Sequence, residues 1–268
     1  MNASVIGLDG KEEKQIGLPP QFEEELRPDV IRRACHSERT FKLQPKGNFP
    51  MAGLQNTAEY YGRRHAWRQT INTGRSRLPR EKLPGGRSGR VLRVPHAVKG
   101  RRAHPPKPEK IIIERINLKE KNLAIRSAIA ATGRRESVAT RGHLFPATIK
   151  FPLVINNSLE SVKKTGDVKK VLETIGVSGD LNRAREGRSL RSGRARLRKG
   201  GYRTPKSALI VVGTDKGVWK ASRNIPGVEV LSVDKLTAES LAPGGVAGRL
   251  TIWTEDALQK LKAESLYQ

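Results

Sequence analysis

Arginine, glycine and flat rings recur together between residues 60 and 107. Gly62-Arg63-Arg64, Gly74-Arg75-Ser76-Arg77, Gly86-Arg87-Ser88-Gly89-Arg90 and Gly100-Arg101-Arg102 repeat one theme. Glycine lets a backbone approach sugar and phosphate closely, while a guanidinium forks onto phosphate oxygens or stacks on an unpaired base. Tyr60, Tyr61, His65, Trp67, His96 and His104 are interleaved with the cations. Rings in that company are stacking platforms, a feature that a merely solvated basic linker does not need, although some of them can anchor the segment's base. The chemistry on offer is recognition of a polyanion, and RNA in particular.

The charge is clustered as such a role requires. Residues 60–107 hold fourteen Lys or Arg against one acid, Glu81, for a net +13. A second stretch, Asn182 to Lys206, carries ten basic residues against Glu186, and its Arg188, Arg191, Arg194, Arg196, Arg198, Lys199 and Arg203 are RNA-contact candidates. The other 195 residues carry only +4 of the total +26. Each phosphate neutralised by such residues releases counterions, so affinity should fall steeply with salt. A membrane-surface protein would instead concentrate its charge on an amphipathic helix, and neither basic stretch reads as one.

Catalytic constellations are weak by comparison. No phosphate-cradling G-x-x-x-x-G-K-[ST] run occurs, and Gly244 to Gly248 or Gly85 to Gly89 read as turns rather than nucleotide loops. His36, His65, His96, His104 and His143 show no metal-ligand spacing. Asp215 and Asp234 follow predicted strands, where a doubly wound enzyme places its acids, yet helix-capping explains them equally. The reading is no chemistry, no metal and no cofactor; its rival is an RNA-modifying enzyme, methyltransferase-like, with basic RNA-holding loops. Cys35 is the only cysteine, which excludes an internal disulfide or a thiolate zinc site. With no charged-then-apolar leader and no run of eighteen apolar residues, a soluble cytosolic address and no membrane partner are expected.

The elements that must position these residues follow from periodicity. Six glycines, five prolines and only seven scattered Ile, Leu or Val leave residues 60–107 without an apolar face, so the segment cannot bury a core and should order only around a polyanion. Folded back on itself it would reach about 75 Å at about 3.3 Å per residue. Asp9-Gly10 between residues 3–7 and 12–17 predicts a hairpin, and two helical pieces follow from Pro20 to about Ser37. Lys110 to Glu114 suggests a short strand, and Asn117 with Glu120 a capping box opening a helix to Gly133, with a helical continuation over 134–141. Phe151 to Ile155, Ala208 to Gly213, Val228 to Val233 and Leu250 to Trp253 read as buried strands. Val168, Val171, Leu172 and Ile175 before Gly176 mark an amphipathic helix, Lys216 to Ser222 a short one, and Thr254-Glu255-Asp256 caps the last. This alternation predicts one α/β domain over 1–268, in three layers, with a mostly parallel sheet and helices on both faces; the basic segments leave from its loops.

Several stretches in this order resemble the archaeal and eukaryotic form of the large-subunit ribosomal protein L-four family. They are Ile71 to Arg77, Pro84 to Arg90, Val94 to Pro106, Ala124 to Thr132, Arg223 to Gly227, and Leu241 to Leu250 running into Ile252 to Glu255. The resemblance covers nearly the whole chain. It implies a globular body on the large subunit and a long loop threading into large-subunit ribosomal RNA, to the wall of the nascent-polypeptide tunnel beside neighbouring ribosomal proteins. On that basis the loop tip is expected at Gly85, Gly86, Arg87, Ser88, Gly89 and Arg90 and on to Arg93, with Arg87, Arg90 and Arg93 nearest RNA and tunnel. Arg63, Arg64, Arg68, Arg75 and Arg77 on one side, and Arg101, Arg102 and His104 on the other, would line the stem, and Lys99 is a further RNA-contact candidate. The chain lacks the long C-terminal extension common in eukaryotic members, which favours an archaeal type.

Overall fold

A computed structural model describes residues 2–60, 62, 71, 73–198 and 200–268. Two compact units emerge, one built from Met1–Lys42 with Ile113–Gln268 and the other from Leu43–Ile112. The first opens with strands β1 (Asn2–Ile6) and β2 (Glu12–Gly17), antiparallel about Gly10, whose φ of 79° is the turn conformation glycine tolerates. Helix α1 (Pro28–Thr40) follows, with Pro28 pre-set for the first turn and Asp29 against the positive helix end.

The unit Leu43–Ile112 holds a short antiparallel pair, β3 (Arg80–Lys82) and β4 (Ser88–Val91), where the sequence pattern predicted no element. The pairing survives on local chemistry. Gly85 and Gly86 turn the chain at φ near 75° and 73°, and Arg90 on β4 reaches Glu81 on β3 at 3.6 Å. Glu59 extends the pair by exchanging backbone hydrogen bonds with Arg80, both at 3.2 Å.

The first unit resumes with α2 (Leu118–Thr132), α3 (Arg135–Thr140), β5 (Leu153–Ile155), α4 (Thr165–Thr174) and α5 (Ser178–Glu186). Two-residue strands β6 (Ser189–Leu190) and β7 (Tyr202–Arg203) pair with each other. Then come β8 (Leu209–Val212), α6 (Val218–Ser222), β9 (Glu229–Ser232), α7 (Ala238–Leu241), β10 (Thr251–Thr254) and α8 (Glu255–Ala263). The central sheet has the order β2-β1-β5-β10-β8-β9, parallel except for the β1/β2 pair.

The period-two alternation of the buried strands divides the core in two. Leu153, Ile155, Ile210, Val212 and Ile252 point to one face and pack with Val138, Val168, Leu172 and Val218 of α3, α4 and α6. Val154, Leu209, Val211 and Trp253 point to the other, against Ile31, Ile125, Ile129, Leu241 and Leu258 of α1, α2, α7 and α8. Helices therefore cover both faces, which is the three-layer α/β arrangement. Each large apolar side chain removed from water contributes roughly 1.5–3 kcal/mol. Trp253 is fully buried and meets the Phe22 ring edge-on at 5.3 Å.

Three local expectations are corrected. Lys110 to Glu114 form no strand: Ser37 Oγ donates to Glu114 O at 2.6 Å and Glu114 N donates to Thr40 Oγ1 at 3.0 Å, so side chains of α1 satisfy the Glu114 backbone that a strand partner would have. Asn117 stands at the N-cap of α2, but its side chain caps nothing, and Glu120 pairs with Arg33 at 3.2 Å instead of closing a capping box. The second basic stretch starts inside α5, so residues 182–186 are helical rather than part of an extended excursion.

Candidate nucleic-acid interface

Within the unit Leu43–Ile112, cations divide by what they touch. Arg75, Arg77, Arg87, Arg90, Lys99, Arg101, Arg102 and His104 are exposed. Of these Arg77, Arg87, Lys99, Arg101 and Arg102 have no ion-pair partner among the described residues, whereas Arg90 has Glu81 and Arg75 reaches the Ser88 carbonyl at 3.5 Å. Gly85, Gly86, Arg87 and Ser88 form the exposed hairpin turn, with Gly89 half-buried behind them. Arg93 is placed differently from the others. Its guanidinium donates to the carbonyls of Leu54 and Asn56 at 3.2 and 3.1 Å and its φ is 68°, so it ties two chain segments together. Arg63, Arg64, His65, Trp67, Arg68 and Lys199 lie outside the described residues.

In the second basic stretch Arg188, Arg191, Arg194, Arg196, Arg198 and Arg203 are all exposed. Arg188 stacks its guanidinium over the Tyr202 ring at 4.1 Å, and Arg191 Nε donates to Tyr202 O at 3.0 Å, which draws the two ends of the excursion together across β6 and β7. Arg194, Arg196 and Arg198 crown it.

What holds the base of this excursion was not legible as function. Asp180, fully buried on α5, receives His143 Nδ1 at 3.0 Å, Leu144 N at 3.2 Å, Arg183 Nε at 2.8 Å and Ser207 Oγ at 2.6 Å. Burial pushes its carboxyl pKa up, but the hydrogen bonds from His143 and Arg183, with His143's charge and the Ser207 hydroxyl, outweigh that and hold it below the usual range. Arg249 is likewise fully buried, donating to Ser207 O at 2.9 Å, Ser240 O at 2.8 Å and Glu229 Oε2 at 2.7 Å. Burial lowers the Arg249 pKa, against the pull of Glu229. Ser207 is thus gripped from both sides, just where the basic excursion rejoins β8. No short motif marks these residues, because Asp180, Ser207 and Arg249 come together only in the folded chain.

The carboxyl ends of β8 and β10, where a doubly wound enzyme opens its crevice, are filled. Glu160, fully buried, accepts Gly213 N at 2.9 Å, Thr254 Oγ1 at 2.8 Å and Thr214 Oγ1 at 3.3 Å. A Cβ on Gly213 would stand 2.8 Å from that of Asp256. Asp215 accepts Gly217 N at 2.9 Å and Trp219 N at 3.2 Å as a turn cap, and Asp234 pairs with Lys260 at 2.9 Å. Both acids have structural partners. Among the described residues no cluster of His, Cys, Asp and Glu has the make-up of a metal site, and no helix is long and apolar enough to cross a membrane.

Comparison with known proteins matches residues 16–264 to the Ribosomal protein L4/L1 family. The chain is 49% identical over 262 residues to the large ribosomal subunit protein uL4 of Methanocaldococcus jannaschii, covering 98% of both chains. It is 46% identical to the proteins of the same name from Methanococcus vannielii, over 98% of this chain and 99% of that one, and from Archaeoglobus fulgidus, over 97% and 98%. Likeness of this depth, end to end, makes the chain a member of the Ribosomal protein L4/L1 family.

Proposed function

We propose that this protein is a structural, non-enzymatic constituent of the large ribosomal subunit, working in the cytoplasm. It binds large-subunit ribosomal RNA, aids its assembly, and packs beside neighbouring ribosomal proteins. Residues 60–107 act as an inserted RNA-binding loop and residues 182–206 as a second RNA-binding segment of one α/β domain. Gly85 to Arg90 form the tip facing the nascent polypeptide in the exit tunnel. The observation that carries this reading is the set of exposed cations at Arg77, Arg87, Lys99, Arg101 and Arg102, unpaired among the described residues, on a unit whose described residues include only Ala58 and Leu92 as buried apolar side chains, in a chain of this family. Such charge is self-repelling until phosphates neutralise it.

Deleting residues 63–104 tests the proposal. The α/β unit should keep its cooperative melting, while incorporation into large subunits should be lost or strongly reduced; unchanged incorporation refutes the reading. The tip is tested separately. Cys35 is buried, so Arg87→Cys supplies one reactive thiol for cross-linking to a stalled nascent chain, and failure to cross-link removes the tunnel assignment.

A further inference from the structure

The amino ends of β8 and β9 border a cleft of about 840 Å³ whose walls carry eight Lys or Arg against two Glu. Half of those cations are already spoken for. Arg39 and Lys42 pair with Glu239, Lys206 with Glu229, and Arg183 with Asp180 behind the wall. Arg141, Arg191, Arg203 and Lys235 have no carboxylate within ion-pair reach among the described residues, so the cleft holds positive charge that its own acids do not balance. Arg141 is fixed there by the carbonyls of Pro243, at 2.6 Å, and Val246.

Shape narrows the ligand. Among the described residues the lining contains no Phe, Tyr or Trp on which a single nucleoside could stack, and the volume far exceeds one phosphate ion. An adjoining depression of about 300 Å³ shares Thr204, Lys206 and Glu229 and adds Arg188 and Arg223, so the cationic surface runs on as a track. We propose that this cleft is an RNA-backbone site on the α/β body: successive phosphodiesters lie along Arg203, Arg191, Lys235 and Arg141. The inference rests on the RNA-binding reading above. It adds Arg141 and Lys235, which lie outside both basic stretches, and gives Arg191 and Arg203 an inward role distinct from Arg194 to Arg198.

The full-length chain and a large-subunit ribosomal RNA transcript test it. Arg203→Ala with Lys235→Ala should lower the slope of log affinity against log salt by about 0.7–0.9 for each phosphate that is no longer neutralised. Lys220→Ala with Lys262→Ala, both exposed, is the control and should leave the slope unchanged. Circular dichroism confirms that each variant folds. Wild-type RNA binding with an unaltered slope in the cleft variant overturns the cleft site alone, whereas loss of binding by the wild type overturns the RNA-binding reading itself. A calorimetric titration with inorganic phosphate supplies the last arm. A phosphate response with no change in the RNA slope assigns the cleft to a free anion and overturns the RNA-backbone proposal.

Discussion

Replacing Asp180 by Asn keeps the shape of the side chain and removes its charge, so it isolates what the carboxylate does. Four donors converge on it, two of them from His143 and Arg183, which carry or can carry charge, and no water reaches it. Breaking a buried, hydrogen-bonded charge pair costs about 3–5 kcal/mol. The lower end applies here, because Arg183 is partly exposed and keeps its hydrogen bond to Lys206 O at 2.7 Å. A loss of about 3 kcal/mol corresponds to a melting temperature roughly 6–12 °C lower for a chain of this size. The pH dependence has a definite sign. Because the folded-state pKa lies below the unfolded value of about 3.9, the stabilisation is fully present above that value and drains away as pH falls through it toward the folded pKa. Urea unfolding of wild type and Asp180→Asn at a series of pH values should therefore show a gap that is constant near neutrality and narrows below about pH 4. A variant as stable as wild type at pH 7, or a gap that widens in acid, would refute the argument that this carboxylate anchors the base of the second basic stretch.

Two further outcomes follow from the same reasoning. Arg194→Ala, Arg196→Ala and Arg198→Ala combined should reduce the salt slope of RNA binding by about 2 or more without moving the melting temperature, since all three are exposed. Filter binding across a salt series reads the slope, and an unchanged value removes these residues from the interface. Glu160→Ala should do the reverse: it strands the Gly213 amide and the Thr254 hydroxyl in the core, costing about 3 kcal/mol or more by calorimetry, and leaves the salt slope alone. A neutral effect on stability would mean that the crevice is not held shut by this residue.

Much of the layout was legible along the chain because its signals are local. The i, i+3, i+4, i+7 pattern through Val168 and Ile175, the Asp9-Gly10 turn and the Thr254 cap each depend on neighbours within one or two turns, and α4, the β1/β2 hairpin and α8 stand where they pointed. Thr254 Oγ1 does accept the Ala257 amide, at 3.3 Å. The short strand expected over Lys110 to Glu114 failed for a non-local reason, the capture of the Glu114 backbone by Ser37 and Thr40. The β3/β4 pair escaped notice because its seven residues are polar apart from Val91 and Gly89, so hydrophobic alternation could not announce them.

The amino-acid sequence by itself determined the clustering of charge, the α/β alternation and the family resemblance, since composition and short-range spacing encode all three. Only the tertiary structure decided the strand order, the closure of the sheet's carboxyl end by Glu160, and which cations are spent internally. Arg249 and Arg93 look in sequence like any other arginine of this basic chain; burial and carbonyl partners from distant segments make them struts. Arg203 and Lys235 have no such partners among the described residues and stay exposed. The difference arises because desolvation and pairing are properties of a place in space, and residues far apart in the chain, such as Ser207 and Arg249, meet there only once the sheet has formed.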